Sequence, residues 1–509
     1  MLVSDEHHKS AVADIAEKTR QFHQSRTPFR IYHGSTLSTR VSARKRDQII
    51  DVSALNRVIH FDESRKRVLV EPNVPMDALV TATTAHGLLP QIVMELPNIT
   101  VGGGFSGTSG ESSSFRYGLF DRTIKAAEIV LGNGDVVWAS EDDPETRELL
   151  LGCAGSCGTL GIITLLEMQL VEAKSYVELI YIPVSSVQES LRVLEDAEKD
   201  PSVDYMDGIL FSMNSGVIMI GRLTDTPLPE RKPQTFDKAA DPWFYLHAEA
   251  ILKRTLHGNT PYKETIPVKS YLFRYDRGVF WSGLRAFKYF MTPFNRLTRY
   301  LLDPFMYTRT MIHALHRSGL SSQTIIQDLA VPYRNAEDFI RWTDERTGLW
   351  PLWLCPVKPS PPDAKNFSMG KNIGQDMLLD VGIWGMGPRD PHEFIRLNRD
   401  FEAKVEELGG LKCLYAHAYY TEDEFWRIYD EDRYMALRRR WHAESLPSVY
   451  DKVKVDLKGV AGGEEVHRKE SWVEWARRRI WDIYPLGGLY GIASATKGLL
   501  VQSDFLLKK

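Results

Sequence analysis

The sequence predicts an α+β fold, and three observations carry that prediction. Short β-type runs separated by turn residues crowd residues 28–175. A looser set of longer strands and helices follows, to about residue 457. Two glycine-rich segments fall inside the first set, each leading into ordered structure. In that set, residues 48–53, 68–70, 124–131, 136–138 and 161–171 read as strands, with Gly132-Asn133-Gly134-Asp135 as a turn. Residues 76–86 read as a helix stopped by Gly87, a residue suited to the left-handed position after a helix. Further on, residues 176–183, 208–220, 350–354, 379–384 and 414–420 read as strands and 336–346 as a helix. Residues 256–318 hold helix-like patches rich in aromatic residues and arginine.

This divides the chain into four parts: a polar N-terminal segment (1–27), a first α+β domain (28–175), a second α+β region (176–457) and a C-terminal extension (458–509). Two or three domains suit 509 residues. Hydrophobic residues at 43% and charged residues at 26% describe a globular chain able to bury a large core. The net charge of −4, from 63 Lys+Arg against 67 Asp+Glu, provides no global field for nucleic acid. Cys153, Cys157, Cys355 and Cys413 are too few and too scattered for a disulfide framework or a zinc site. No metal is expected, and a reducing compartment is. The N-terminus has no apolar signal region and the chain no clean membrane-spanning run, so a cytoplasmic location is expected. The apolar stretch 483–501, interrupted by Pro485 and Lys497, reads as a packed tail in preference to a membrane-surface segment.

The most informative segment is Thr100-Val101-Gly102-Gly103-Gly104-Phe105-Ser106-Gly107-Thr108-Ser109-Gly110-Glu111-Ser112-Ser113-Ser114. It packs five glycines and five serines into fifteen residues. Glycine opens backbone angles that other residues avoid and removes the Cβ that would block a ligand. Successive N–H groups can then converge on a pyrophosphate, with hydroxyls of Thr108, Ser112 and Ser113 as further donors. Gly102–Gly107 formally spells G-x-G-x-x-G, but Pro97-Asn98 precedes it and no long helix is signalled after it, so a Rossmann site is rejected. Val101 and Phe105 argue for an ordered loop over a flexible linker. Dinucleotide binding and a purely structural loop both stay open on these residues alone. A second cluster, Gly152–Gly161, runs directly into a strand, and Tyr32-His33-Gly34-Ser35-Thr36 is a third loop able to donate to a phosphate.

Three such loops in one α+β domain, with Glu71-Pro72 between the first and the second, resemble the vanillyl-alcohol-oxidase type of FAD-binding domain. Thr100-Val101-Gly102-Gly103, Glu111-Ser112-Ser113-Ser114, Tyr117-Gly118-Leu119-Phe120 and Ser156-Cys157-Gly158-Thr159-Leu160-Gly161 resemble the Δ24-sterol reductase family more narrowly. So do Tyr271-Leu272-Phe273-Arg274-Tyr275-Asp276-Arg277-Gly278, Gln327-Asp328, Pro351-Leu352-Trp353-Leu354-Cys355-Pro356 and Val449-Tyr450-Asp451-Lys452. The resemblance spans roughly residues 28–455. It departs from the family in lacking a hydrophobic N-terminal anchor, in continuing past Lys452, and at His417.

The resemblance implies a two-subdomain FAD-binding domain plus an α+β substrate (cap) domain. It implies non-covalent FAD, although some superfamily relatives attach the flavin through a histidine in the His33 loop. Its FAD-contacting positions would be Gly34, Ser35, Thr36, Thr100, Val101, Gly102, Gly103, Gly104, Thr108, Gly110, Glu111, Ser112, Ser113, Tyr117, Gly118, Ser156, Gly158, Leu160, Gly161 and Ile162. It implies that NADPH supplies electrons and that a sterol or related terpenoid loses an isolated C24–C25 double bond. Protonation at C24 would place positive charge on C25, which accepts hydride, so the protein must supply position, a proton and a dry pocket. Tyr415, His417, Tyr419 and Glu95 are the candidate proton donors, the first three because alternate strand residues share a face. Aromatic residues of 280–307 would wall the pocket, dock on a bilayer or form core. Arg277 and Arg309 would steer NADPH phosphates or form ion pairs. A peripheral contact with the endoplasmic reticulum membrane is the alternative location. The rival functions are an alcohol or alditol oxidase or dehydrogenase of the same fold, and a non-catalytic flavin-fold scaffold.

Overall fold

The computed structural model describes residues 5–34, 37, 44–229, 231–255, 261–318, 320–455, 485–500 and 507–508. The predicted Ser35 and Thr36 therefore lie outside the described residues, as does most of the C-terminal extension.

Two sheets organise the chain. The first is antiparallel, in the order Val58–Asp62, Arg67–Val70, Ile162–Glu172, Ile124–Val130, Val136–Ser140, and Leu88–Pro90 pairs with the far end of the long central strand. Arg30–Tyr32 and Ile49–Asp51 form a small parallel pair beside it. The predicted strands here match to within a residue or two, because each is a short β-type run bounded by recognisable turns. The helix Glu6–Gln24 lies against this sheet. Its buried residues His8, Val12, Ile15, Ala16 and Thr19 recur at helical spacing, so one stripe faces inward.

The second sheet has eight strands, in the order Tyr262–Pro267, Tyr176–Val184, Ser215–Thr224, Tyr205–Ser212, Leu352–Val357, Leu378–Met386, Thr324–Pro332, Leu411–Lys412. Period-two alternation assigns its two faces. Ile325, Leu329 and Val331 pack in one apolar cluster with Phe339 and Ile340 of the helix Tyr333–Thr347 and Phe401 of the helix Pro391–Glu407. Gln327 follows them, its amide donating to Asn398 at 2.8 Å. Ile326, Asp328 and Ala330 face the opposite way, toward the first sheet.

The structure corrects three expectations. Residues 208–220 are not one strand but a hairpin, Tyr205–Ser212 turning back as Ser215–Thr224. Residues 100–107 are not a loop: Val101–Gly107 is a short helix, capped by the Thr100 side chain. Residues 414–420 are not a strand, since pairing stops after Leu411–Lys412. The Lys412 ammonium is buried on Glu402 (2.7 Å) and also donates to the His417 carbonyl, which curls the chain back. Ala418 is then fixed on the C-terminal return by Ala418 N–H to Val453 O and Val455 N–H to Ala418 O. Residues 483–501 contribute the helix Leu486–Leu500, packed on the helix Thr308–Ser318.

Candidate active site

The glycines of the first motif separate into two kinds. A Cβ on Gly102 would come within 2.6 Å of Pro72, and one on Gly104 within 2.4 Å of Met94, so these two are needed for packing. Gly107 would meet nothing within 4 Å, and Gly103 only Thr100 and Ile99. Four residues apart, they lie on one face of the helix and present bare backbone to a cavity. The second motif is bolted to the first: Gly155 N–H donates to Phe105 O and Cys157 N–H to Ser106 O. Cys157 and Gly158 are both left-handed, with φ of 56° and 69°. The C-terminal return closes this corner, with the Lys452 ammonium on the Cys157 carbonyl.

The amides do not converge as expected. Those of Val101, Gly102 and Gly104 bond to backbone carbonyls, and that of Gly103 to Thr100 Oγ1. The helix N-terminus is thus spent on its own structure. Among the described residues, the amides of Ser109 and Gly110 have no protein acceptor.

One continuous cavity of about 500 Å³ runs from these glycines to the helices Ser282–Tyr289, Thr308–Ser318 and Leu486–Leu500. Of the predicted contact residues, Thr100, Gly102, Gly103, Gly104, Thr108, Gly110, Glu111, Gly158 and Gly161 line it. The others do not. Val101, Leu160 and Ile162 are core. Ser112 and Ser113 are buried, with Ser113 Oγ donating to Gln91 O; Ser156 Oγ donates to Cys153 O. Tyr117 packs on the core, Gly118 turns the chain beside Lys358 O, and Gly34 lies beside Ser53. His33 does line the cavity.

A family profile described as an FAD binding domain matches residues 10–140. The human Delta(24)-sterol reductase is 29% identical over 455 residues, covering 88% of this chain and 86% of the human protein. The Arabidopsis thaliana Delta(24)-sterol reductase is 28% identical, covering 85% and 81%, and a Caenorhabditis elegans homologue is 27% identical, covering 78% and 77%. Along most of its length the chain is similar to Δ24-sterol reductases. It is an FAD-dependent oxidoreductase with the two-subdomain vanillyl-alcohol-oxidase-type flavin domain and an α+β cap. An extended dinucleotide fits the residues present: bare backbone at Gly103 and Gly107, unpaired amides at Ser109 and Gly110, and a cleft between two subdomains.

Beyond the glycine loops, the cavity meets a sheet face that carries carboxyls. Alternation puts Asp207, Asp328 and Asp380 on the same side of their strands, toward the glycine helix. Glu95 and Glu111 approach from the flavin domain, and Glu95, Glu111, Asp328, Trp353 and Tyr415 all line the cavity. The Oδ2 of Asp207 accepts from Arg274 (2.8 Å), Tyr275 (2.7 Å) and Trp353 (3.0 Å). Glu95 lies 3.1 Å from the same Arg274 nitrogen but out of line, and neither of its oxygens has a hydrogen-bond partner among the described residues. Burial pushes Glu95 up to about 8, against the pull of Arg274. Glu111, with Ser109 Oγ at 3.2 Å, and Asp380 are raised well above the carboxylate range, mainly by burial. Burial raises Asp328 to about 7, opposed by the hydrogen bond that Tyr415 donates to its Oδ2 at 2.7 Å. Its Oδ1 is buried with no hydrogen-bond partner.

Tyr415 and Glu95 thus reach the cavity. His417 and Tyr419 do not line it: Tyr419 faces the helix side, with its N–H on Glu402 and its ring against Phe394. Arg277 is buried in an ion pair with Asp303 at 2.6 Å, which excludes it as a phosphate-steering group. Of the predicted aromatics, Trp281 and Phe287 are core while Tyr289, Phe290 and Phe305 wall the cavity. Sequence reasoning quoted Gln327-Asp328 without assigning Asp328 a role. The signal available was a lone acid inside the apolar run 325–332.

Proposed function

We propose that the chain is an NADPH-driven reductase of the isolated C24–C25 double bond of a sterol or related terpenoid. The observation that carries this is the cavity itself: one mostly apolar chamber joins the glycine face to Glu95 and Asp328, carboxyls whose burial favours the neutral, proton-donating form. An unactivated alkene needs both a hydride and an acid, and no carbonyl assists. FAD, held without a covalent bond, would relay the hydride from NADPH to the substrate. It would lie along Gly103, Gly107, Ser109–Glu111, Gly158 and Gly161.

The protein's own share is the proton. Asp328 is the proposed donor. Tyr415 fixes Oδ2, which leaves the unpartnered Oδ1 to carry the acid proton toward C24. Gly382 makes this possible, since a Cβ there would sit 3.2 Å from Oδ1. Trp353, Trp384, Phe280 and Met311 keep water out and hold the side chain. The Asp207 carboxyl, paired with Arg274, opposes ionisation of Glu95. The alcohol-oxidase alternative would need a polar pocket, whereas the chamber beyond Asp328 is mostly aliphatic and aromatic, with Arg285 and a few hydroxyls among its walls. The test is anaerobic incubation with NADPH and a panel of Δ24 sterols and triterpenoids, read by mass. A gain of two hydrogens in one substrate supports the reading. Bleaching of the flavin by an alditol, with no sterol reduced, refutes it.

A further inference from the structure

We propose that the rim of the cavity, formed by residues 288–301 and the start of the helix Leu486–Leu500, is a docking face for an anionic lipid bilayer. The inference rests on the sterol-reductase reading for its purpose, though not for its test. The helix Arg296–Leu301 buries none of its residues. It exposes Leu297 (64%), Tyr300 (52%) and Leu301 (64%), and Met291 before it is 78% exposed. Leu486 and Leu489 are exposed next to them, because Gly488 between them packs on Tyr289 and Phe290. Scattered exposed apolar residues need no explanation, but six within two adjoining segments form a patch.

Charge sorts the occupant. Between Gly278 and Gln327 the only acidic residue is Asp303, and it is buried on Arg277. The same stretch holds Arg285, Lys288, Arg296, Arg299, Arg309 and Arg317, and Lys497 stands on the C-terminal helix. Lys288, Arg296 and Lys497 are exposed and, among the described residues, pair with no carboxylate. This local excess of cations stands out in a chain of net charge −4. Apolar side chains ringed by unpaired cations match a lipid surface, where acyl chains lie beneath phosphates. A second copy of the chain would set these cations against each other. Position agrees: Tyr289, Phe290, Gly488 and Ile492 line the cavity immediately behind the patch. A water-insoluble substrate would then pass from bilayer to chamber without crossing solvent.

The experiment is co-sedimentation of the full-length holoenzyme with phosphatidylcholine vesicles, with and without phosphatidylserine. Binding is expected to the serine-containing vesicles and to weaken with salt. Leu297→Glu with Leu301→Glu, and separately Lys288→Glu with Arg296→Glu, should each weaken it roughly tenfold or more. FAD content and reduction of cyclodextrin-delivered sterol should stay unchanged in both variants. Failure to bind either vesicle overturns the proposal, as does equal binding by the variants. So does a dimer in sedimentation velocity that Leu297→Glu with Leu301→Glu dissolves. Vesicle binding without any sterol reduction would leave the docking face standing and sink the functional reading alone.

Discussion

The decisive residue is Asp328, an acid whose environment favours its neutral form. Asp328→Asn keeps the shape and removes the proton. Sterol reduction should fall roughly 10²–10⁴-fold while flavin reduction by NADPH persists, as stopped-flow absorbance of the flavin would show. If Asp328 must be protonated, the rate falls as pH rises through about 7, the value to which burial lifts it. The Tyr415 hydrogen bond lowers that value, so Tyr415→Phe should move the alkaline limb of the pH–rate profile upward. Collapse of sterol reduction in Tyr415→Phe, with flavin reduction by NADPH intact, would show that Tyr415, not Asp328, gives the proton. His8 makes a stability argument at the same scale. Burial disfavours its charge, but hydrogen bonds to Glu128 (3.0 Å) and Glu71 (2.8 Å) prevail and raise it to about 9. A raised histidine stabilises fully below its unfolded value near 6.5 and loses that contribution as pH climbs through about 9. His8→Ala should cost about 3 kcal/mol in denaturant unfolding at neutral pH, because it strands two carboxylates.

At the scale of elements, the helix Val101–Gly107 tests which glycines serve the fold and which serve the ligand. Gly104→Ala drives a methyl into Met94 and Phe120 and should destabilise by about 1–3 kcal/mol. Gly107→Leu meets open space, so thermal unfolding of the apo form should hardly change. Its side chain would occupy the cavity, and FAD should be lost on gel filtration. Equal FAD retention by Gly107→Leu and the parent chain would remove the flavin from this helix face. The glycine motif was legible as a binding segment because its composition is extreme. Its helical state was not, since glycine disfavours helix and only the Thr100 cap and the packing on Pro72 and Met94 impose it.

Across the whole molecule, the cavity belongs to no single segment. The glycine helix supplies one end, the second sheet the carboxyls, and the C-terminal helix a wall at Gly488 and Ile492. A Cβ on Gly491 would come within 2.6 Å of the Ala314 carbonyl. Gly491→Leu should therefore lift that helix from Thr308–Ser318 and raise KM for sterol several-fold in steady-state assays, leaving FAD content intact. An unchanged KM would mean that the wall does not touch substrate.

Most strands, the FAD-binding domain and the likeness to Δ24-sterol reductases were legible in local signals of the sequence: short β-type runs, turn residues, and glycine loops of unusual composition. Those features depend on neighbours along the chain, so a linear reading finds them. The grouping of Glu95, Glu111, Asp328 and Asp380 was decided only by the tertiary structure. Sheet register sets Asp328 opposite Gly382 and Asp380 opposite Cys355, and the fold then buries Glu95, Glu111 and Asp380 and partly buries Asp328. Tertiary structure also overruled the strand at 414–420, because a buried Lys412–Glu402 pair outweighs the β-propensity of that run. Acidity here arises from loss of hydration, and hydration is a property of the folded surroundings, not of a residue's place in the sequence.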